Sequence, residues 1–456
     1  MSAILDRLIV FGILGEISFG ALAYGTTEAW SIAFFKVGAA ILLLLWCIKW
    51  ITEKRVRVVL PATAIPILAF LAVGLLQSLA LTDSSGQRLS LSVDVEATRS
   101  AVNMLISLLI LFLLAVNFLN TRERLNVLAK FLVLYGMALA VFALIQHFTC
   151  ENCLYWVKTS RGAPFGTFPN RNHFAGYMEL LMPVPLAILT VRAAGKWSMI
   201  YAFAAVLTGT ATVMSLSRGG LLTLSAEIVF IAVLSKRVQR PGKERVRGGH
   251  TSVGRTGWIR LGPPVFVALL ILAGVVWIGS APIEERLGST VSEITDTKSL
   301  LADSRVRIWK DTLTLIRANP VLGVGIGAFQ TAFPLYDRSS GSVEIGASHN
   351  DYLQIVADAG IVGALIGLWF VVLVFRAIAR ATSRHDRSVV GLVLGAAAGI
   401  FGILVHSLFD FNLQIPANAL LFLVFVAVIS LPGPVTDSRL QTSAAETPQG
   451  LAGSAL

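Results

Sequence analysis

Long apolar runs separated by short polar segments dominate this chain. The runs lie at 8–24, 29–49, 61–81, 101–119, 125–148, 173–191, 197–214, 219–235, 262–280, 348–375, 388–408 and 416–432. A helix needs about 20 apolar residues to cross the hydrocarbon core of a bilayer, and most of these runs approach that length. The pattern therefore predicts an all-α polytopic membrane protein with about twelve transmembrane helices.

The basic residues fall on one side of these predicted crossings. They are Arg7, Lys49, Lys54, Arg55, Arg57, Arg122, Arg124, Arg192, Lys196, the loop 236–260, Arg376, Arg380, Arg384 and Arg387. Cytoplasmic loops are enriched in Lys and Arg, so we expect this side, and both termini, to be cytoplasmic. The predicted organisation is a membrane domain over 1–432, with a long outer segment at 281–347 that carries an amphipathic helix, and a disordered polar tail at 433–456.

Composition agrees with a membrane protein and argues against two other classes. The chain is 55% hydrophobic and 14% charged, with a formal charge of +11. Because the positive charges come in short blocks between apolar runs, we interpret them as membrane topology signals and expect no nucleic-acid partner. No glycine-rich phosphate loop precedes a Lys-Ser or Lys-Thr pair, so ATP use is not indicated and no cofactor is expected.

The unusual polar residues gather in the outer segments, above all between Ser304 and Ala364. Its first part, Ser304–Ala318, alternates apolar and charged residues and predicts an amphipathic helix on the outer membrane face, ended by Asn319-Pro320. His349 follows at the outer end of the tenth crossing. A histidine can exchange a proton near neutral pH, although a capping or core histidine bonded to a carbonyl is the alternative interpretation.

Several arginines accompany His349 on the outer side. They are Arg305 and Arg307 upstream of it, Arg218 at the start of the eighth crossing, and Arg161 and Arg171 around the segment Gly166 to Asn170. Guanidinium groups bind phosphate oxygens through paired hydrogen bonds and stay charged. If these arginines converge, they would form a site for an anionic, phosphorylated lipid. The alternative is that each arginine pairs with a nearby acid or a lipid headgroup.

The sequence does not favour a metal-binding site. Asp94 and Glu96 are interpreted as solvated acids, and we expect no metal centre. Cys150 and Cys153 suit a disulfide in an oxidising compartment, whereas zinc would need two further ligands. His173 and His406 also lie near outer edges, and Asp410 and Asn412 follow His406. This group could line the same cavity or serve as structural caps.

Four strings in order resemble one family. They are Gly166-Thr167-Phe168-Pro169-Asn170-Arg171-Asn172; Ser217-Arg218-Gly219-Gly220; Arg305 with Trp309, Pro320 and Gly323-Val324-Gly325; and His349-Asn350 followed by Gly360 and Gly363. Together they resemble the bacterial O-antigen ligase and O-antigen polymerase superfamily, which handles polyprenyl-diphosphate-linked glycans. The resemblance covers roughly 160–370, whereas the first five crossings match only as generic membrane helices.

The resemblance implies a C-type glycosyltransferase fold in the bacterial inner membrane, acting without metal at the periplasmic face and inverting the anomeric centre. The donor would be an undecaprenyl-diphosphate-linked glycan, and the acceptor a hydroxyl on lipid A-core. By carry-over, His349 would be the general base and Arg218 and Arg305 would hold the diphosphate. The further candidate substrate-binding residues are Arg307, Arg161, Asn172 and Asn350.

Three other functions remain open. The matched region is common to O-antigen ligases, O-antigen polymerases and protein O-oligosaccharyltransferases, and ligase is our first choice. A lipid-linked glycan transporter is the alternative of a different class. Transporters tend to have pseudo-symmetric halves and helices broken at mid-bilayer, whereas here the polar residues cluster asymmetrically on the outer face of the second half.

Overall fold

The structure is a computed structural model of the 456-residue chain. It describes residues 1–54, 58–82, 88–150, 152–159, 162–238, 262, 265–271, 273, 305–338, 344–382 and 387–431. The predicted tail 433–456 and most of the predicted span 262–280 lie outside these residues. So do Arg161 and the part of the outer segment that precedes Arg305.

The described residues are dominated by α-helices. In chain order these are α1 Ser2–Leu22, α2 Ala29–Glu53, α3 Ala64–Gln77, α4 Val95–Phe118, α5 Arg122–Thr149, α6 Arg171–Leu181, α7 Pro183–Thr190, α8 Ser198–Met214, α9 Arg218–Val238, α10 Arg305–Ala318, α11 Phe329–Ala332, α12 Asp351–Ala381, α13 Arg387–His406 and α14 Pro416–Ser430. Two antiparallel hairpins pair β1 Ala80–Thr82 with β2 Arg88–Ser90, and β3 Cys153–Leu154 with β4 Val157–Lys158.

The all-α polytopic prediction is confirmed. Eight helical runs of the described residues are long and apolar enough to cross a membrane, and α3 and α14 are shorter apolar helices. Each predicted crossing outside 262–280 coincides with a helix. The predicted crossing 173–191 consists of two helices, α6 and α7, because Pro183 and Pro185 remove two backbone donors. The total of twelve crossings remains a prediction.

The central helices of the bundle are buried, whereas the outer helices expose apolar side chains. Helices α6, α7, α13 and α14 carry mostly buried side chains, and α13 packs against α7 and α9. By contrast, α2 and the second part of α12 expose large apolar residues such as Phe34, Leu365 and Leu368. In a membrane protein such residues face lipid, where apolar exposure costs nothing.

Charged side chains tie three helices together at one end of the bundle. Asp6 of α1 accepts hydrogen bonds from Lys49 of α2 and Arg124 of α5, each at 2.5 Å. At the same end of the predicted topology, the hydroxyls of Thr63 and Ser430 lie 2.9 Å apart. The structure thus groups Lys49 and Arg124, which the charge pattern assigned to one side of the membrane.

Helix α12 is broken at Gly360, which has φ 61° and ψ −155°. The segment 320–327 runs beside this break and supplies the missing backbone partners. Val324 N–H donates to Ala357 O at 2.9 Å, and Ile361 N–H donates to Pro320 O at 2.9 Å. A Cβ on Gly360 would lie 2.3 Å from the carbonyl carbon of Val321. The two backbones therefore meet only because this position is glycine.

The predicted amphipathic helix is α10. Its apolar side buries Ile308 and Leu315 in a small cluster with residues of the 324–333 segment and α12, while Val306 and Leu313 stay exposed. The helix is therefore held by protein contacts on its main apolar face. Its position relative to the membrane surface remains a prediction.

Candidate functional site

The side chain of Asp410 joins four chain segments at the bundle end opposite Asp6. One oxygen, Oδ2, accepts hydrogen bonds from Asn172 Nδ2 at 2.7 Å and Arg305 Nη2 at 3.1 Å. The other, Oδ1, lies 3.3 Å from His349 Nδ1 and accepts from the backbone N–H of Phe411 at 3.0 Å. Asp410 is completely buried. One carboxylate therefore connects three of the residues that the sequence selected.

The charge of this carboxylate follows from its surroundings. Burial alone would raise the pKa of Asp410, but the hydrogen bond with His349 and the positive charge of Arg305 outweigh burial and hold the pKa well below its usual range. Asp410 is thus ionised at neutral pH and can only accept hydrogen bonds. The nearest nitrogen of His349, Nδ1, must therefore carry the proton.

His349 presents its imidazole from a left-handed backbone position, with φ +53°. Its side chain is 32% exposed, and its ring packs edge-to-face on Phe411 with centroids 5.1 Å apart. When Nδ1–H is donated to Asp410, the neutral form of the imidazole has its free lone pair on the second nitrogen, Nε2. A part-exposed imidazole of this tautomer can accept a proton from a bound hydroxyl group.

The residues beside His349 fix its position. Asn350 caps α12, because its Oδ1 accepts from the N–H groups of Tyr352 and Leu353 at 3.0 Å each. Its Nδ2 donates to Leu408 O at 3.0 Å. Upstream, Trp309 Nε1 donates to Ser348 O at 3.0 Å. The structure thus gives Asn350 and Trp309 positioning contacts; substrate contact by Asn350 stays a prediction.

A buried turn positions Asn172. Phe165 and Phe168 exchange backbone hydrogen bonds around Gly166, whose φ is +58°. Phe168 is fully buried, and Asn170 then caps α6 by accepting from the N–H of Asn172 at 2.9 Å. The motif 166–172 therefore forms a buried turn that ends at Asn172, which contacts Asp410.

A disulfide and one glutamine hold this turn in place. Cys150 and Cys153 form a disulfide, which agrees with the first of the two options drawn from the sequence. The buried side chain of Gln146 donates to Cys153 O at 2.9 Å and to Gly166 O at 2.7 Å. The outer hairpin and the 165–168 turn thus form one unit.

The predicted arginines have different surroundings. Arg305 contacts Asp410 directly. Arg218 begins α9, whose next residue, Gly219, packs on His406; a Cβ there would lie 2.5 Å from His406 Nε2. Arg307 lies two residues after Arg305 on α10 and is half-buried. Arg161 lies outside the described residues.

The other outer histidines flank the same carboxylate. His173 is buried and its ring contacts Phe411 at 4.8 Å. His406 is buried beside Glu179, with Nδ1 2.9 Å from both carboxylate oxygens. The rings of His173 and His349 therefore both contact the ring of Phe411, beside Asp410.

Asp94 has a structural role. It caps α4 by accepting from the N–H groups of Glu96 and Ala97, and it accepts from Thr331 Oγ1 at 2.9 Å. Within the described part of the chain, no group of three or more His, Cys, Asp or Glu side chains could hold a metal ion. Independence from metal stays a prediction.

The sequence pattern underestimated Asp410 and did not select the two completely buried glutamates, Glu179 and Glu227. Asp410 was noted only as a neighbour of His406, although an acid between two apolar runs on the outer side was a usable signal. Glu179 and Glu227 each stand alone inside a predicted crossing. An ionisable residue within the membrane marks a functional site by default, and that rule would have selected both.

Comparison with known proteins agrees with this geometry. Residues 203–368 match the family model described as O-antigen ligase, while no curated protein matches the chain. The matched region contains Arg218, Arg305, Arg307 and His349, which lie on helices α9 and α10 and at the start of α12. The chain is therefore a multi-pass membrane protein in which residues 203–368 match the O-antigen ligase family model.

Proposed function

We propose that this protein is an O-antigen ligase that moves a glycan from undecaprenyl diphosphate to a hydroxyl group of lipid A-core at the periplasmic face. The observation that carries the proposal is the meeting of His349 and Arg305 on the buried carboxylate of Asp410. A base and a phosphate-binding cation are the two groups that metal-free displacement of a lipid diphosphate requires.

His349 acts as the general base. Asp410 holds the Nδ1–H tautomer, so Nε2 faces the acceptor and takes the proton of its hydroxyl group as that oxygen attacks the anomeric carbon. The imidazolium that forms is stabilised by the Asp410 carboxylate 3.3 Å away. Attack occurs opposite the leaving group and inverts the anomeric centre.

Arginine side chains receive the leaving diphosphate. As the bond between the anomeric carbon and the phosphate oxygen breaks, negative charge grows on the lipid diphosphate. Arg305, with one guanidinium nitrogen on Asp410, and Arg218 at the start of α9 offer donors to that charge. Arg307 and Arg161 are further candidates, and Asn172 and Asn350 are candidates for glycan contacts.

The break in α12 bears on the transporter alternative. Transporters use helices broken at mid-bilayer to bind substrate. In α12 the backbone partners at Gly360 come from the protein's own segment 320–327. The part after the break, 361–381, is by itself as long as the about 20 residues that a crossing needs. The break therefore suits the outer membrane edge, and transfer is the better interpretation.

The acceptor distinguishes the remaining members of the superfamily. Purified protein is given an undecaprenyl-diphosphate glycan together with lipid A-core, a second lipid-linked glycan, or a pilin-like protein. Growth of lipid A-core supports the ligase proposal. Extension of the second lipid-linked glycan would instead identify a polymerase, and glycosylation of the protein a protein O-oligosaccharyltransferase.

The chemistry is tested in the same assay. We expect release of undecaprenyl diphosphate without ATP and in excess EDTA, because guanidinium groups take the charge that a metal would otherwise carry. Activity that disappears with the chelator and returns with a divalent cation contradicts this part of the proposal. A transporter would change the sidedness of the glycan and leave its linkage to the lipid intact.

A further inference from the structure

Glu227 is a carboxylic acid buried in the membrane-spanning helix α9. Its side chain is completely buried, and neither oxygen has a hydrogen-bond partner among the described residues. An ionised carboxylate without partners is strongly disfavoured in an apolar interior, and such groups bind a proton instead. The surroundings of Glu227 therefore require its neutral form.

The interface between α9 and α13 is shaped for two titratable side chains. Gly402 of α13 makes room for Glu227, since a Cβ there would lie 1.9 Å from Glu227 Oε1. In return, Gly219 of α9 makes room for His406 of α13. Each helix thus has a glycine at the position where an ionisable side chain of the other helix packs. Packing alone would be served better by apolar side chains.

Glu179 of α6 contacts the interface where His406 packs on Gly219. Both of its oxygens lie 2.9 Å from His406 Nδ1, and both residues are buried. A Cβ on Gly220 would lie 3.2 Å from Glu179 Oε1, so the first turn of α9 rests on this pair. Gly402 and His406 are one helical turn apart in α13, so Glu227 lies one turn from this pair along the same interface.

We infer that Glu179, His406 and Glu227 form a membrane-buried proton-binding cluster that is coupled to donor binding through the first turn of α9. At rest one proton is shared by Glu179 and His406 and a second is held by Glu227. The coupling rests on the proposed function, because it runs through Arg218, the candidate diphosphate ligand at the start of that turn.

The charged and titratable groups on neighbouring helices determine how readily the cluster binds protons. The helices packed on α9 are α6, α7, α8 and α13. Their titratable residues are Arg171, His173, Tyr177 and Glu179 in α6, Tyr201 in α8, and Arg387 and His406 in α13, with none in α7. Arg305 and Asp410 act on His406 from the outer side. An anionic diphosphate bound at Arg218 adds negative charge on that side and strengthens proton binding by the cluster.

Infrared spectroscopy of the full chain in detergent tests the cluster without any substrate. The carbonyl band of a protonated carboxyl group should persist at pH 7, where exposed carboxyl groups are ionised. Glu227→Gln should remove part of this band, while Glu28→Gln, at an exposed position, should leave it unchanged. A Glu227→Gln spectrum identical to that of the wild type at pH 7 overturns the proposal.

Adding undecaprenyl diphosphate tests the coupling. Binding is measured separately by equilibrium dialysis. The titration midpoint of the Glu227 band should move to higher pH when the ligand is bound, and Arg218→Gln should abolish this shift. A ligand that binds without moving the midpoint overturns the coupling and leaves the donor site intact. A ligand that does not bind contradicts the proposed donor site, and the coupling fails with it.

Discussion

At the scale of single residues, charge balance explains why His349, Arg305 and Asp410 meet. In the site the positive charge of Arg305 offsets the negative charge of Asp410 at 3.1 Å. In the proposed reaction a neutral His349 takes the acceptor proton, and the group of three side chains then gains one positive charge. This happens as negative charge grows on the leaving diphosphate, so the base also strengthens the field that stabilises the departing group.

Replacing His349 by Ala should stop turnover and spare donor binding. Removal of a general base typically costs about 10²–10⁴-fold in rate, and the imidazole does not hold the diphosphate in our proposal. The check is kcat together with the affinity for undecaprenyl diphosphate in detergent. A kcat that falls less than about tenfold would mean that another group accepts the proton.

Arg305→Ala should instead weaken donor use. A hydrogen bond to a charged group contributes about 1.5–3 kcal/mol, which corresponds to about 10- to 100-fold in kcat/KM for the donor. Arg317→Ala is the matched control, because Arg317 is exposed in the last turn of the same helix. Equal losses in the two variants would show that helix α10, and not the guanidinium of Arg305, is what matters.

The lowered pKa of Asp410 makes a prediction about stability and pH. A carboxyl group whose pKa is lower in the folded state stabilises the fold above its unfolded pKa, and that stabilisation is lost as pH falls through the folded value. The difference in Tm between wild type and Asp410→Asn should therefore stay constant from pH 8 to about 5 and shrink below about pH 4. A difference that stays constant or grows as the pH falls below about 4 would mean that the pKa of Asp410 is not lowered.

At the scale of elements, the glycine run 323–327 explains how a distant loop reaches the site. Gly323, Gly325 and Gly327 all have positive φ, and a Cβ on Gly323 would lie 2.4 Å from Ala357 O. The run packs along the first turns of α12, which carry His349 and Asn350 at their start. Gln77, fully buried, adds hydrogen bonds to Leu322 O and Asp358 O.

Gly360→Ala should destabilise the protein and distort the site. The substitution forces a strained φ and places a methyl group against the Val321 carbonyl, so a loss of about 1–3 kcal/mol or more is expected. Gly367→Ala in the same helix is the control, since the nearest neighbouring atom, Ile355 Cδ1, would be 3.9 Å from its Cβ. Thermal unfolding in detergent compares the two variants; the proposal for the break fails if both unfold like wild type.

The hydrophobic pattern of the sequence predicted the helices, but contacts between residues far apart in the sequence are visible only in the structure. The thickness of the bilayer sets the length of an apolar run, and that length can be seen directly in the sequence. The hydrogen bonds of Asp410 link residues 238 and 105 positions away, and no local pattern encodes such pairs. Likewise, the sequence shows Asn350 only as a polar residue beside His349. The structure shows that a helix begins at Asp351 and that Asn350 caps it.

At the scale of the whole molecule, the two ends of the bundle are chemically different. One end joins Asp6, Lys49 and Arg124. The other carries the disulfide and the Asp410 site. Since disulfides persist in oxidising compartments and basic loops in the cytoplasm, the two ends suit opposite faces of one membrane.

This polarity predicts which residues reagents can reach from outside the cell membrane. In a Cys47→Ser background, Lys158→Cys should react with a membrane-impermeant maleimide in intact spheroplasts, and Asn120→Cys should react only after lysis. Both positions are exposed, Lys158 beside the disulfide hairpin and Asn120 between α4 and α5. The reverse labelling would place His349 in the cytoplasm. There the proposed periplasmic transfer could not occur, however well the local geometry suits the chemistry.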